Sequence, residues 1–174
     1  MKNLILTGMM GAGKTTCGRL LAQKLARPFV DMDAAIERQD GRPIPQIFAE
    51  DGEAFFRDLE TQVATALAGQ TGLVVATGGG AVLRKDNMQA LRRTGLVIFL
   101  NRPAEDIFDQ GKLEARPLAQ GGRAAFLETF AARKDRYFST ADLVVTPGPT
   151  PSETVQLLLQ QLRKREDANE IFGD

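Results

Sequence analysis

The segment LILTGMMGAGKTTCGRLLAQKL, residues 4–25, decides the fold. It opens with an apolar run typical of a buried strand and closes with apolar residues at helical spacing. Between them, Gly8, Gly13, Lys14 and Thr15 fit the pattern G-x-x-x-x-G-K-[ST]. Glycines at such a strand-to-helix turn let successive backbone N–H groups point at phosphate oxygens. The segment therefore predicts a phosphate-binding loop.

The loop is expected to bind a nucleoside triphosphate together with its metal ion. Lys14 can reach the β- and γ-phosphates, and the Thr15 hydroxyl is placed to bind Mg²⁺. The helix that follows adds the positive end of its dipole. The loop alone does not specify a function, because GTPases, transport ATPases and kinases all use it. The expected nucleotide-binding residues are Gly11, Ala12, Gly13, Lys14, Thr15, Thr16 and, beside the base, Pro151.

Composition excludes several classes of function. The 174 residues amount to about one domain, and 22 basic residues balance 22 acidic ones. Without a net positive field, neither nucleic acid nor a membrane surface is an expected partner. The single cysteine, Cys17, suits a reducing compartment and is expected to be a small core residue. We therefore expect a cytoplasmic monomer, with no signal peptide, that acts on small molecules.

The sequence contains no histidine. Histidine general bases and histidine metal ligands are therefore excluded. A proton acceptor must be an aspartate, glutamate, lysine, tyrosine or the lone cysteine.

Short β-rich runs alternate with longer helical patterns, which predicts an α/β fold with a parallel sheet flanked by helices. One helix is expected from Gly52 to about Ala68, with Phe55, Leu59 and Val63 forming its apolar stripe. Five strands are expected, at Leu4–Thr7, Phe29–Asp31, Leu73–Thr77, Leu96–Leu100 and Asp142–Val145.

The last periodic helix has the clearest start. Thr150 is a candidate N-cap, Pro151 suits the first helical position, and Glu153 completes a capping box. The tail beyond this helix loses its periodicity, so we expect residues 166–174 to be frayed or disordered. Residues 1–165 are expected to form a single domain.

The segment QGKLEARPLAQGGR, residues 110–123, is rich in glycine and charge and poor in apolar residues. A stretch of this length inside a compact domain is more often a lid than a simple connector. A mobile lid carrying Arg116 is therefore expected.

Two aspartates, Asp31 and Asp33, stand at the carboxyl end of the second predicted strand. Ligands of parallel sheets bind at this edge. One carboxylate can hold Mg²⁺, through water, and the other can orient an acceptor hydroxyl and take its proton. The alternative is that Asp33 only caps a helix beginning at Ala34.

Two further stretches carry candidate binding residues. Arg57 and Glu60 are three apart in GEAFFRDLE and can pair, which in isolation is best interpreted as an exposed ion pair. Three consecutive glycines, Gly78, Gly79 and Gly80, exceed the needs of a plain turn and imply that something lies against the backbone.

In this order and spacing, the phosphate loop, DMD, GEAFFRDLE, TGGG and ARPL resemble the shikimate kinase family. The resemblance extends from Leu4 to the last helix. It implies phosphorylation of the 3-hydroxyl of shikimate by ATP and Mg²⁺. It also implies a three-layer P-loop kinase fold with a five-stranded parallel sheet.

The resemblance implies a role for each candidate on the phosphate side. Lys14 and Thr15 would hold the nucleotide phosphates and the metal, and Asp31 would be the carboxylate on the metal side. Arg116 would enter from the lid to stabilise phosphoryl charge.

On the acceptor side, the resemblance makes Asp33 the base and the ligand of the shikimate hydroxyls. Arg57 and Arg133 would bind the carboxylate, and the triple glycine would line the pocket with N–H groups. Arg136 competes with Arg133, and the four-residue spacing from Arg133 to Tyr137 favours Arg133. Two departures from the family pattern are Asp135 in place of a proline and the absence of a lid arginine upstream of ARPL.

Three alternatives stay open at this stage. A gluconate or nucleoside monophosphate kinase would share the loop, and a switch GTPase would need an N-K-x-D motif where this chain has NRPAED. A relative that binds without catalysis is the third.

Overall fold

The structure is a computed structural model that describes residues 1–109 and 122–173. Its centre is a sheet of five parallel strands, and the spatial order from one edge to the other is second, third, first, fourth, fifth. The predicted α/β class and all five predicted strands are confirmed, each within one residue at either end. The strands are β1 (Asn3–Thr7), β2 (Phe29–Asp31), β3 (Val74–Ala76), β4 (Gly95–Leu100) and β5 (Leu143–Val145).

Eight α-helices lie in the described ranges, and a 3₁₀ turn at Ala81–Leu83 follows the triple glycine. The helices are α1 (Lys14–Leu25), α2 (Met32–Asp40), α3 (Ile44–Leu67), α4 (Lys85–Arg92), α5 (Ala104–Asp109), α6 (Gly122–Thr140), α7 (Pro151–Arg163) and α8 (Ala168–Phe172).

Strand alternation produces the three layers. In β1, Leu4 and Leu6 face a core formed with α1, α7 and α8, while Ile5 faces a second core formed with α2, α3 and α4. Helix α6 contributes to both, with Phe126 in the first core and Tyr137 in the second. Because the central strand is buried on both faces, it reads as a continuous apolar run.

Helix α3 differs from its predicted extent and face. It begins at Ile44 and is kinked at Gly52, whose φ of 79° breaks the helical geometry. The predicted stripe is wrong at Phe55, which is 38% exposed, whereas Phe56 is buried. Local periodicity cannot choose between two adjacent phenylalanines, and here the ring of Phe48, 4.7 Å away, packs with Phe56.

The capping box at the start of α7 is confirmed. The Thr150 hydroxyl accepts a hydrogen bond from the Glu153 N–H, and the Glu153 carboxylate accepts one from the Thr150 N–H. Pro151 takes the first helical position, as expected.

The expectation of a frayed tail is wrong for residues 166–173, because they include the helix α8. Ile171 is fully buried, Lys2 forms ion pairs with Asp167 and Glu170, and the Arg27 guanidinium donates to the Ile171 carbonyl. These partners are about 140 residues or more away along the chain, so local periodicity could not reveal them.

The predicted lid at residues 110–123 lies almost entirely outside the described residues, and Arg116 lies outside them as well. Across the described part of the chain, no helix combines the length and the apolar character that crossing a bilayer requires.

Replacing Ile171 by alanine should lower the free energy of unfolding by about 2–4 kcal/mol, because it empties a buried site in the core. Urea denaturation measures this loss. Leu157→Ala, at a position 39% exposed on α7, is the matched control and should cost much less. Equal small losses for the two variants would show that the tail does not pack in solution.

Candidate active site

The phosphate loop joins β1 to α1, as predicted, and curls around its own lysine. Lys14 Nζ donates to the carbonyl oxygens of Gly8 and Met9 at 2.8 and 2.9 Å. Gly8 and Gly13 both have φ in the left-handed region, 142° and 96°. A β-carbon at Gly8 would lie 2.8 Å from the Leu100 carbonyl oxygen, so the turn requires glycine there.

Helix α1 begins directly at this loop. Gly13 is its N-cap, and no side chain of the described residues caps it. Thr15 and Thr16 are exposed in the first turn. An N-terminus of this kind offers its N–H groups and dipole to an anion, which fits the predicted phosphate site.

Asp31 joins the loop to the second strand. Its Oδ2 accepts a hydrogen bond from the Thr15 hydroxyl at 2.8 Å, and its Oδ1 accepts from the N–H groups of Asp33 and Ala34. Asp31 is therefore the N-cap of α2, and the alternative that Asp33 caps this helix is wrong. Capping the helix uses one carboxylate oxygen of Asp31 and leaves the other hydrogen-bonded to the Thr15 hydroxyl.

A magnesium site at Thr15 and Asp31 fits the donors present. A hydroxyl and a carboxylate are hard oxygen ligands, and Mg²⁺ normally keeps several waters and takes further oxygens from phosphates. Residues 1–109 and 122–173 contain no group of three or more His, Cys, Asp or Glu side chains that could hold a metal. The two protein oxygens would therefore share the ion with the nucleotide and water.

The triple glycine allows acidic side chains to approach the backbone. A β-carbon at Gly78 would lie 2.7 Å from Asp33 Oδ1 and 3.0 Å from Glu60 Oε1. Asp33, in the first turn of α2, and Glu60, on α3, therefore converge on the same peptide. A side chain at this position would push both carboxylates away.

The other two glycines contact the loop and the arginines. A β-carbon at Gly79 would lie 3.3 Å from the Met10 nitrogen and 3.8 Å from Arg133 Nη1, and one at Gly80 would lie 2.6 Å from Arg57 Cζ. The triple glycine thus separates the phosphate loop from two guanidinium groups. Its neighbours explain why three glycines occur in succession.

Arg57 is held from several sides. Its Nη1 lies 3.0 Å from Glu60 Oε2, its Nη2 lies 3.1 Å from Glu53 Oε1, and its Cζ lies 5.1 Å from the Phe56 ring centroid. Interpreting Arg57–Glu60 as an exposed ion pair is wrong, since Glu60 is fully buried. The guanidinium is therefore held in place by side chains of the protein itself.

Burial raises the pKa of the Glu60 carboxyl, and the nearby Asp33 carboxylate adds to the rise, while the Arg57 guanidinium opposes it. Asn87, also fully buried, donates to the Ala81 carbonyl and lies 3.4 Å from Glu60 Oε2. Glu60 Oε1 has no hydrogen-bond partner among the described residues. Sequence reasoning missed Asn87, because an isolated asparagine in a helix carries no pattern.

The structure separates the two arginines on α6. Arg133 is buried beside Gly79, whereas Arg136 donates to the Leu83 carbonyl at 2.8 Å in an exposed position. Of the two, only Arg133 is therefore brought to the site.

Tyr137, one turn after Arg133, is fully buried, and its hydroxyl donates to the Gly79 carbonyl. Burial raises the pKa of Tyr137 to about 12, against the lowering effect of Arg133 and Arg57. In the sequence, Tyr137 serves only to choose between Arg133 and Arg136 and is given no role of its own. The available signal was its position four residues after Arg133.

Pro151 and Cys17 are two further residues that the sequence singled out. Pro151 starts α7 just after β5, at the carboxyl edge of the sheet and two strands from the phosphate loop. Cys17 is buried in the core, and burial raises the pKa of its thiol. Its predicted role as a small core residue is confirmed.

Comparison with known proteins identifies the family. Residues 10–163 match the family model described as shikimate kinase. The chain belongs to the shikimate kinase family. Shikimate kinases from Persephonella marina and Symbiobacterium thermophilum are 40% and 42% identical, each match covering 94% of this chain and 100% and 97% of those proteins.

The fold agrees with that of a solved member of the family. The structure of shikimate kinase from Acinetobacter baumannii in complex with shikimate has 35% sequence identity and a TM-score of 0.90, and the match covers 95% of each chain. The predicted three-layer P-loop kinase fold is thereby confirmed.

Glu60→Gln should change how stability depends on pH. Because the pKa of folded Glu60 is raised, the folded state holds this proton more tightly than the unfolded chain does. The carboxyl therefore stabilises the fold most below its ordinary pKa of 4.5, and this contribution is lost as pH rises through the folded value. Relative to the glutamine variant, wild type should lose stability as pH rises above 4.5, as measured by urea unfolding at several pH values.

Glu53→Gln is the matched control, because it removes the exposed carboxylate that also contacts Arg57. A fall of the same size in wild-type stability relative to this control would mean that the trend is common to the carboxylates around Arg57. Burial of Glu60 would then not be its cause.

Proposed function

We propose that this protein transfers the γ-phosphoryl group of ATP to the 3-hydroxyl of shikimate. The product, shikimate 3-phosphate, would serve chorismate and aromatic amino acid biosynthesis. The observation that carries the proposal is the placement of the triple glycine between the phosphate loop and the pocket of Arg57, Arg133 and Asp33. Family membership supports the same reaction.

The acceptor pocket suits a hydroxylated carboxylate. Arg57 and Arg133 approach neighbouring glycines, so two guanidinium groups can share one carboxylate through charge-assisted hydrogen bonds. Asp33 lies beside Gly78, where it can accept hydrogen bonds from the ring hydroxyls. Gly79 and Gly80 contribute backbone N–H groups.

The nucleotide occupies the loop from Gly11 to Thr16. Lys14 exchanges its hydrogen bonds to the loop carbonyls for β- and γ-phosphate oxygens, and Pro151 borders the base. Thr15 and Asp31 would hold Mg²⁺, the carboxylate through water, and the ion would supply neutralisation of phosphate charge. Arg116 is assigned to the phosphoryl group by family resemblance alone.

The chemical step needs positioning and charge neutralisation more than covalent participation by the protein. The acceptor oxygen forms a bond to the γ-phosphorus while the bond from that phosphorus to the β,γ-bridging oxygen breaks. The electron pair of the broken bond leaves with ADP. Asp33 accepts the hydroxyl proton, and Lys14 offsets the negative charge on the transferred group.

We further propose that the enzyme acts as a cytoplasmic monomer on these two small molecules, without nucleic acid or a membrane. The even charge balance and the free, buried Cys17 support this proposal. A gluconate kinase is the second candidate, because gluconate also offers a carboxylate and hydroxyls to the same pocket.

A coupled assay of ADP release should distinguish the acceptors. Shikimate, gluconate and nucleoside monophosphates are tested separately at equal concentration, with a sample lacking acceptor to measure ATP hydrolysis. We expect kcat/KM for shikimate to exceed that for each alternative at least about a hundredfold, or ~2.7 kcal/mol. Lys14→Met is the inactive control. Faster turnover of another acceptor would overturn the proposal.

Asp33→Asn preserves size and removes the base. Its kcat should fall by about two to four orders of magnitude, the usual scale for the loss of a general base. Asp31→Asn is the matched variant, since asparagine keeps the helix cap, and its defect should appear mainly in the Mg²⁺ dependence. A loss below tenfold for Asp33→Asn would leave Asp33 only a hydroxyl ligand.

A further inference from the structure

We propose that Tyr137 is a positioning residue of the acceptor site, where its buried hydroxyl fixes the Gly79–Gly80 peptide beside the Arg133 guanidinium. This inference rests on the proposed function, because it concerns the pocket assigned to shikimate. Tyr137 itself does not touch the acceptor.

The hydrogen bond from Tyr137 sets the orientation of the Gly79–Gly80 peptide. The Tyr137 hydroxyl donates to the Gly79 carbonyl from within the core. In a trans peptide the C=O and N–H groups point in opposite directions, so holding the Gly79 carbonyl also aims the Gly80 N–H away from Tyr137. That N–H donates to no described residue, and the Arg57 guanidinium lies against the same glycine. The Gly80 N–H is thus available to an acceptor oxygen.

The Gly78–Gly80 segment is intrinsically flexible, and Tyr137 restrains it. Glycine has access to far more backbone conformations than other residues, so three in succession would leave this segment poorly defined. The Ala81 and Leu83 N–H groups close the following turn onto Gly78 and Gly80. Between these two backbone bonds, the Tyr137 hydroxyl adds a side-chain hydrogen bond to the Gly79 carbonyl.

The Tyr137 side chain is itself held in place by its neighbours. Its ring stacks on Phe99 with centroids 5.0 Å apart, and its hydroxyl lies 3.9 Å from the sulfur of Met9 in the phosphate loop. The Gly79 peptide that this hydroxyl holds lies beside Arg133, one helical turn earlier, whose Nη1 would be 3.8 Å from a β-carbon at Gly79. One rigid side chain therefore sets the peptide against which Arg133 lies.

Tyr137→Phe keeps the ring stack and removes only the hydroxyl. We expect the KM for shikimate to rise roughly tenfold, equivalent to ~1.4 kcal/mol, while the KM for ATP changes less than about twofold. Steady-state kinetics with each substrate varied in turn measure both values. If Tyr137 had a purely structural role, the substitution would lower the active fraction, and hence kcat, and would not change the KM for shikimate more than the KM for ATP.

Phe138→Leu is the matched control, because Phe138 packs edge-on against the same Phe99 ring but is 41% exposed. It should leave both KM values unchanged. Unchanged KM values for Tyr137→Phe, or equal rises for both substrates, would overturn the inference.

A second measurement does not depend on the stability of that variant. Tyr137 is the single tyrosine of the chain, so biosynthetic replacement of tyrosine by 3-fluorotyrosine labels this position alone. Saturating shikimate should shift the one ¹⁹F resonance, and an unshifted resonance in an enzyme that turns over shikimate would overturn the inference. Wild-type protein that fails to phosphorylate shikimate would refute the proposed function instead, and the Gly80 amide shift in Tyr137→Phe would then test the hydrogen bond directly.

Discussion

A stretch of backbone without side chains, Gly78–Gly80, is the constraint on which the rest of the site depends. A β-carbon at Gly78 would displace Asp33 and Glu60, and one at Gly80 would meet Arg57. Because the segment follows β3 beside the central strand, it also reaches the phosphate loop. The absence of three side chains therefore allows charged groups from separate helices to meet at the edge of the sheet where phosphate is expected.

Ionisable groups of both signs meet there. Two guanidinium groups, Arg57 and Arg133, face two carboxylates, Asp33 and Glu60. Burying an unpaired guanidinium would be strongly unfavourable, so Glu60 offsets Arg57 in the free protein. The cations of the site are therefore already oriented, and the proposed binding of an acceptor carboxylate there would lose less entropy.

The sequence predicted those parts of the site that reside in local motifs. The phosphate loop, Asp31, Asp33 and the triple glycine lie at the ends of strands whose apolar runs are easy to recognise. Tyr137 and Asn87 could not be assigned, because the contacts that bring them to the site, with Gly79 and Glu60, join residues more than 25 positions apart along the chain. The same reason accounts for the tail, where long-range bonds rather than helical periodicity order α8.

The kink in α3 lets its two segments make separate contacts. Gly52 divides the helix, so the segment before it need not follow the direction of the segment that carries Arg57. Arg42 binds Glu50 and Asp51 just before the kink, at 2.7 and 2.6 Å, and thereby anchors the first half independently. The Phe48–Phe56 ring contact then joins the halves beneath Arg57. Contacts within α3 therefore hold the Arg57 guanidinium, whereas Tyr137 and Gly79 tie the other side of the site to the phosphate loop.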